Sequence, residues 1–226
     1  MDRVVLIHGL AETPAHMFAL RQAAIVSGYE VECVAYPSTR LPIERLIDEY
    51  IQPAIDSTSN ARRAHFVTHS LGGVLLHACL QTRIPPNLGR VVMQAPGLQG
   101  SEALEIYRHN PLFRWLYGPA AVQSGTGADG FAKQLSDRAE YELGIVSGCL
   151  SSDLLPLFFI PPPHDGKISA ARTLTGGVQD HIVLPTTHDG IMHDPLAVVQ
   201  TVRFIRTGAF FHFWKTPRAV SFASVA

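Results

Sequence analysis

His65-Phe66-Val67-Thr68-His69-Ser70-Leu71-Gly72-Gly73-Val74 is the stretch that decides how this chain is read. One apolar run ends at Thr68, and a second, opened by glycines, begins at Leu71. Ser70 stands between them, at a strand-to-helix turn. A serine on such a sharp turn presents its hydroxyl above the carboxyl end of a parallel strand, the arrangement called a nucleophile elbow. The usual pattern is Gly-x-Ser-x-Gly; here Gly72 fills the second glycine position and Thr68 occupies the first. The plainer alternative is a serine capping an ordinary buried helix, so the decision falls to the flanking chain.

Upstream, Val4 to His8 is a near-continuous apolar run, as expected of a strand covered on both faces. His8-Gly9-Leu10-Ala11 turns out of it. Thr13-Pro14 reads as a helix start, Ala15 to Ser27 as a helix and Gly28 as its stop. Glu30 to Ala35 is a second strand. Pro42 to Asp56 is a helix with Ile43, Leu46, Ile47, Tyr50 and Ile51 on one face. Ala64 to Thr68 is the third strand, and Leu71 to Gln81 is the helix after Ser70, apolar almost all round. Downstream come strands at Arg90 to Gln94, Leu143 to Val146 and Asp180 to Leu184, then a last helix from Pro195 to Arg206. Alternating strands and helices predict a parallel sheet with helices on both faces. The expectation is a single α/β domain over 1–226, built on a minimal six-stranded, mostly parallel sheet. Within it, 95–130 is expected to be irregular, with one amphipathic piece near Ser101 to Tyr117, and to cover a pocket, and 216–226 to fray.

Composition bounds the partners. The 226 residues carry a formal net charge of −1, with a pI near 6.8. That balance gives no electrostatic case for nucleic acid or an anionic membrane. No apolar run reaches about 18 residues, so no membrane-spanning helix is expected. No signal peptide is visible either, which predicts a cytoplasmic location. Cys33, Cys79 and Cys149 have no metal-ligand spacing and read as free thiols. The 11 histidines include no His-Glu-x-x-His pattern, so neither a metal nor any other cofactor is expected. Nothing in the sequence specifies an oligomer.

Sites in parallel sheets lie beyond the carboxyl ends of the strands. Such ends here carry His8-Gly9-Leu10, Ser70, the Asp165 loop and the His188 loop. Serine is a poor nucleophile unless a base removes its proton and a carboxylate orients that base. Ser70, Asp165 and His188 occur in the chain order expected for an elbow on this sheet. An oxyanion hole would take the N–H of Leu71 and one from the first loop, Leu10 first and Ala11 next.

These pieces resemble the small serine lipases and esterases of the α/β-hydrolase fold, of the compact bacterial type without a large lid. The resemblance rests on Val5-Leu6-Ile7-His8-Gly9, on Thr68 to Gly73, on Asp165-Gly166-Lys167-Ile168-Ser169, and on His188 followed by the helix with Phe204-Ile205-Arg206. It covers about residues 3 to 210. It implies Ser70 as nucleophile, Asp165 as acid, His188 as base, Leu10 and Leu71 as the oxyanion hole, and a small-molecule or lipid ester as substrate. Thr68 departs from the pattern beside the turn, and the leading antiparallel strands of larger members are missing.

Plainer readings stand beside each residue. Asp165-Gly166 could form a simple turn, with Asp153 the rival acid. His188 could be a surface histidine, with His193 the rival base. His8 reads as a structural hydrogen-bonder shaping the first loop, and His69 as packing at the elbow. Phe113, Trp115 and Tyr117 are either core or acyl-pocket lining. An acyltransferase with a non-water acceptor and a non-catalytic binding protein on the same fold are the alternatives to an esterase.

Overall fold

The structure, a computed structural model, describes residues 1–152 and 154–212. Six strands form one sheet: β1 (Arg3–Ile7), β2 (Glu30–Val34), β3 (Ala64–His69), β4 (Leu88–Gln94), β5 (Arg138–Gly148) and β6 (Gly176–Leu184). Their order is β2-β1-β3-β4-β5-β6, and every neighbouring pair is parallel. The sheet is thus wholly parallel rather than mostly so.

Strand periodicity splits the core in two. Successive side chains on a strand point to opposite faces. Val5 and Ile7 of β1 therefore join one apolar cluster with Phe66, Val91, Met93 and Ile145. Val4 and Leu6 join the other with Val67, Val92, Val146 and Ile182. The first cluster is covered by α2 (residues 43–56) through Ile43, Leu46 and Ile51, and by α3 (Leu71–Thr82) through Val74, Leu75 and Leu76. The second is covered by α1 (Phe18–Val26) through Leu20 and Ala24, and by α6 (Pro195–Thr207) through Ala197, Phe204 and Ile205. Phe66, fully buried at the centre of β3, contributes about 2–3 kcal/mol by leaving water.

Helix α2 is not uniform. Its middle turn, Ile47–Ile51, is π-helical, and Pro53 follows in the next α turn. Proline has no N–H for the usual bond one turn back, so the turn before it opens.

Segment 95–130 is more ordered than its Pro, Gly and Ser content predicts. It forms α4 (Glu102–Tyr107) and α5 (Pro111–Gln123), the latter kinked at Gly118. Side-chain caps start both: Ser101 Oγ accepts the Leu104 N–H at 3.3 Å, and Asn110 Oδ1 accepts the Leu112 N–H at 2.9 Å. Trp115 is 78% exposed and Tyr117 38%, and neither they nor Phe113 belong to either core cluster. Strands β5 and β6 begin earlier than their most apolar residues suggest, so Asp180 lies inside β6 rather than opening it. The expected tail at 216–226 and the rival acid Asp153 lie outside the described residues.

The strand order places the site. After β1 the chain moves to β2 on one side, then crosses back to β3 on the other. The loops leaving β1 and β3 therefore diverge and open a crevice at the carboxyl edge, the usual ligand position in such sheets. His8-Gly9-Leu10 leaves β1 there, and Ser70 leaves β3 there.

Candidate active site

Ser70 has φ 48° and ψ −117°, a conformation disfavoured for any residue with a Cβ. The elbow holds it from both sides. The Ser70 N–H donates to the Gln94 carbonyl of β4 at 3.0 Å, and the Ser70 carbonyl accepts the Gly73 N–H at 3.0 Å. Helix α3 starts immediately afterwards and presses against β1. A Cβ on Gly72 would lie 2.5 Å from the Ile7 carbonyl oxygen and 2.6 Å from that of His8, so only glycine permits this approach. Thr68, at the other glycine position of the usual pattern, is fully buried within β3 and registers with Ile7 and Met93. A threonine is accommodated because the residue is still regular strand there.

His188 Nε2 lies 3.0 Å from Ser70 Oγ, and His188 Nδ1 lies 2.7 Å from Asp165 Oδ2. The second Asp165 oxygen accepts the Lys167 N–H at 2.9 Å and the Ile168 N–H at 2.8 Å. Burial opposes ionisation of Asp165, but the charge and hydrogen bond of His188 and these two amides outweigh it and hold the carboxyl below its usual range. An ionised Asp165 only accepts, so Nδ1 carries the ring proton and Nε2 presents its lone pair to the Ser70 hydroxyl. His193, by contrast, is exposed one turn further on, and its backbone N–H closes a turn with Gly190. Asp180 is committed elsewhere, accepting the Phe210 N–H at 2.7 Å and lying 2.8 Å from His212 Nε2.

The Leu10 and Leu71 N–H groups donate to no protein acceptor among the described residues, whereas the Ala11 N–H is taken by Ser38 Oγ at 2.9 Å. Leu71 is the first residue of α3, where amides lack intrahelical acceptors. The Leu10 amide is aimed indirectly. His8 Nδ1 lies 2.9 Å from the Gly9 carbonyl. That carbonyl and the Leu10 N–H share one planar peptide, so holding the first orients the second. His8 also stacks on Tyr36, with ring centroids 4.1 Å apart, and Tyr36 OH donates to the His8 carbonyl. Burial pushes the His8 imidazole below its usual range, which suits a structural role in the loop.

Two residues carry more than their sequence positions suggest. His69 is fully buried and contacts Glu12, in the first loop, as well as the His188 carbonyl. The acidic residue two places after Leu10 was the available signal for Glu12, but nothing local links it to a histidine 57 positions away.

An open groove of about 670 Å³ runs beside this loop, lined by His8, Glu12, Tyr36, Leu41 and Tyr50 among others. No described helix is long and apolar enough to cross a membrane.

No protein-family profile matches the chain, and no curated protein matches it in sequence. Solved structures do. A Bacillus licheniformis lipase in its mature form superposes with a TM-score of 0.72 at 15% identity, over 90% of this chain and 91% of that one. The chain has the α/β-hydrolase fold. It spans 52% of the same lipase in its propeptide form. A Legionella pneumophila phospholipase, in complex with thio-NAD, matches with a TM-score of 0.73 at 13% identity, over 92% of this chain and 59% of that one. A metagenomic carboxyl esterase matches with a TM-score of 0.62 at 19% identity, over 84% and 65%.

Proposed function

We propose that this protein is a serine hydrolase that cleaves carboxylic esters through an acyl-enzyme. The observation that carries the reading is the unbroken line Ser70 Oγ–His188 Nε2, His188 Nδ1–Asp165 Oδ2, at 3.0 Å and 2.7 Å, set beside the Leu10 and Leu71 amides, which have no acceptor among the described residues. The lipase, phospholipase and esterase among the similar folds favour ester over amide.

Ser70 Oγ attacks the ester carbonyl as His188 Nε2 takes its proton. Negative charge develops on the carbonyl oxygen, and the Leu10 and Leu71 N–H groups receive it. The ionised Asp165 stabilises the imidazolium that forms. His188 then returns the proton to the leaving alcohol, and the tetrahedral intermediate collapses to an ester on Ser70. Water attacks that ester with His188 as base again, and the acid is released with Ser70 restored. Every proton in this cycle comes from the chain, the substrate or water.

A panel of p-nitrophenyl esters from acetate to palmitate tests the reading, with Ser70→Ala as control. Hydrolysis by the wild type that disappears in the variant supports it. Equal rates from the two would exclude Ser70 as the nucleophile.

A further inference from the structure

The carboxylate of Glu12 joins three loops of the site. It accepts the Gly9 N–H at 2.6 Å, in the loop that carries Leu10. It lies 2.8 Å from His69 Nδ1, on the strand that delivers Ser70. The other ring nitrogen, His69 Nε2, lies 3.0 Å from the carbonyl oxygen of His188. The line Gly9–Glu12–His69–His188 thus runs from the first loop through the elbow to the base. The two imidazole rings lie against each other, with centroids 4.9 Å apart.

The protons in this line are constrained. A backbone carbonyl only accepts, so His69 Nε2 must carry a proton. Nδ1 faces the Glu12 carboxyl at 2.8 Å. The His69 side chain is 0% exposed, and that of Glu12, on the wall of the groove, is 9% exposed. Burial opposes ionisation of Glu12, but the hydrogen bond and charge of His69 and the Gly9 amide bring its pKa down to about 2. The fit around the pair is close. A Cβ on Gly9 would lie 2.9 Å from His69 Nδ1, 3.0 Å from Glu12 Oε2 and 3.1 Å from Ser70 Cβ.

A buried pair of this kind is a poor source of net stability, since desolvation offsets most of the attraction. Its use lies in fixing geometry. We propose that Glu12, acting through His69, is a positioning residue that holds the Leu10 amide, Ser70 and His188 in one hydrogen-bonded frame. The inference rests on the serine reading above. Glu12 touches none of the reacting atoms, so its removal should misplace the machinery while leaving acyl-chain binding intact.

The test compares kcat, KM and melting temperature on p-nitrophenyl butyrate for Glu12→Gln, Glu12→Ala, Glu12→Asp and Ser70→Ala. A glutamine keeps every contact: its carbonyl accepts from Gly9, its amide donates to Nδ1, and Nε2 still donates to His188. Glu12→Gln should therefore retain most of the wild-type kcat. Glu12→Ala should lose on the order of 10²-fold in kcat at near-constant KM, measured well below its melting temperature, which should itself fall because His69 and the Gly9 N–H lose their partner. Aspartate, one methylene shorter, cannot reach Gly9 and His69 together, so its kcat should fall below that of Glu12→Gln. If Glu12→Ala does not fold, the Gln and Asp pair decides, and equal kcat in the two overturns the proposal. A fully active Glu12→Ala, or a loss that only tracks unfolding, also overturns it. Either result beside an inert Ser70→Ala defeats this inference alone; an active Ser70→Ala defeats the serine reading and this inference with it.

Discussion

His188 and Asp165 are bonded twice. The His188 N–H donates to the Asp165 carbonyl at 2.9 Å, and the His188 ring meets the Asp165 carboxylate at 2.7 Å. The loops after β5 and β6 are therefore joined through their backbones independently of the side chains. A third tie, Lys167 to Asp189 at 2.7 Å, bridges the same loops on the outside.

That double bond separates shape from chemistry at Asp165. Asp165→Asn leaves the backbone bond and the side-chain volume in place. Its amide would donate to Nδ1, leaving the proton on Nε2, where it cannot accept from Ser70. Turnover should drop by on the order of 10⁴ with the melting temperature little changed. Steady-state rates on one short-chain ester, with circular dichroism melting, check this; near-wild-type turnover would remove Asp165 from the mechanism.

The two candidate bases are distinguished by position. His188 is buried between Ser70 and Asp165, whereas His193 is exposed. His188→Ala should abolish the pre-steady-state burst of p-nitrophenol, and His193→Ala should preserve it. Stopped-flow traces of both variants decide the matter, and a dead His193→Ala beside an active His188→Ala would reverse the assignment.

Much of this arrangement was legible in the sequence because it depends on local signals. Ser70, Asp165 and His188 each follow a strand, and a parallel sheet sends all such loops to one edge. The expectation for β5 and β6 followed only their apolar runs; Arg138 to Glu142 carries the polar–apolar alternation of a half-buried strand, whereas Gly176-Gly177 at the start of β6 reads as a turn. Helices α4 and α5 were only partly legible, for a different reason. The sequence shows one amphipathic piece near Ser101 to Tyr117 inside a segment whose Pro, Gly and Ser read as loop, while the order of the two helices comes from the Ser101 and Asn110 caps and from Arg108, which ties Glu105 to Asp129. Glu12 could not be recognised, because its partner, His69, is brought to it only by the pairing of β1 with β3.

Acid should weaken the fold before it ionises the buried histidines. Burial pushes His65 and His181 down from 6.5 to about 4. Below pH 6.5 the unfolded chain binds protons at these sites, and the folded chain does not until about pH 4. At these two sites the unfolded state therefore binds more protons in that window, so their contribution to stability falls as pH falls from 6.5 to 4 and levels off below it. His65 Nδ1 accepts the Arg90 N–H at 2.9 Å, and the Oδ1 of asparagine can take that bond without titrating. Urea unfolding at several pH values should show a shallower acid decline for His65→Asn than for the wild type. Parallel curves would show that His65 takes no part in the acid sensitivity.

The central claim is that catalysis passes through an ester on Ser70, and trapping that ester tests it most directly. The wild type would be mixed with excess p-nitrophenyl butyrate, quenched in acid within the burst, digested and mapped by mass spectrometry. A butyryl group is expected on the peptide containing Ser70, absent when Ser70→Ala is treated the same way. A butyryl group on another residue, with turnover undiminished in Ser70→Ala, would contradict the claim.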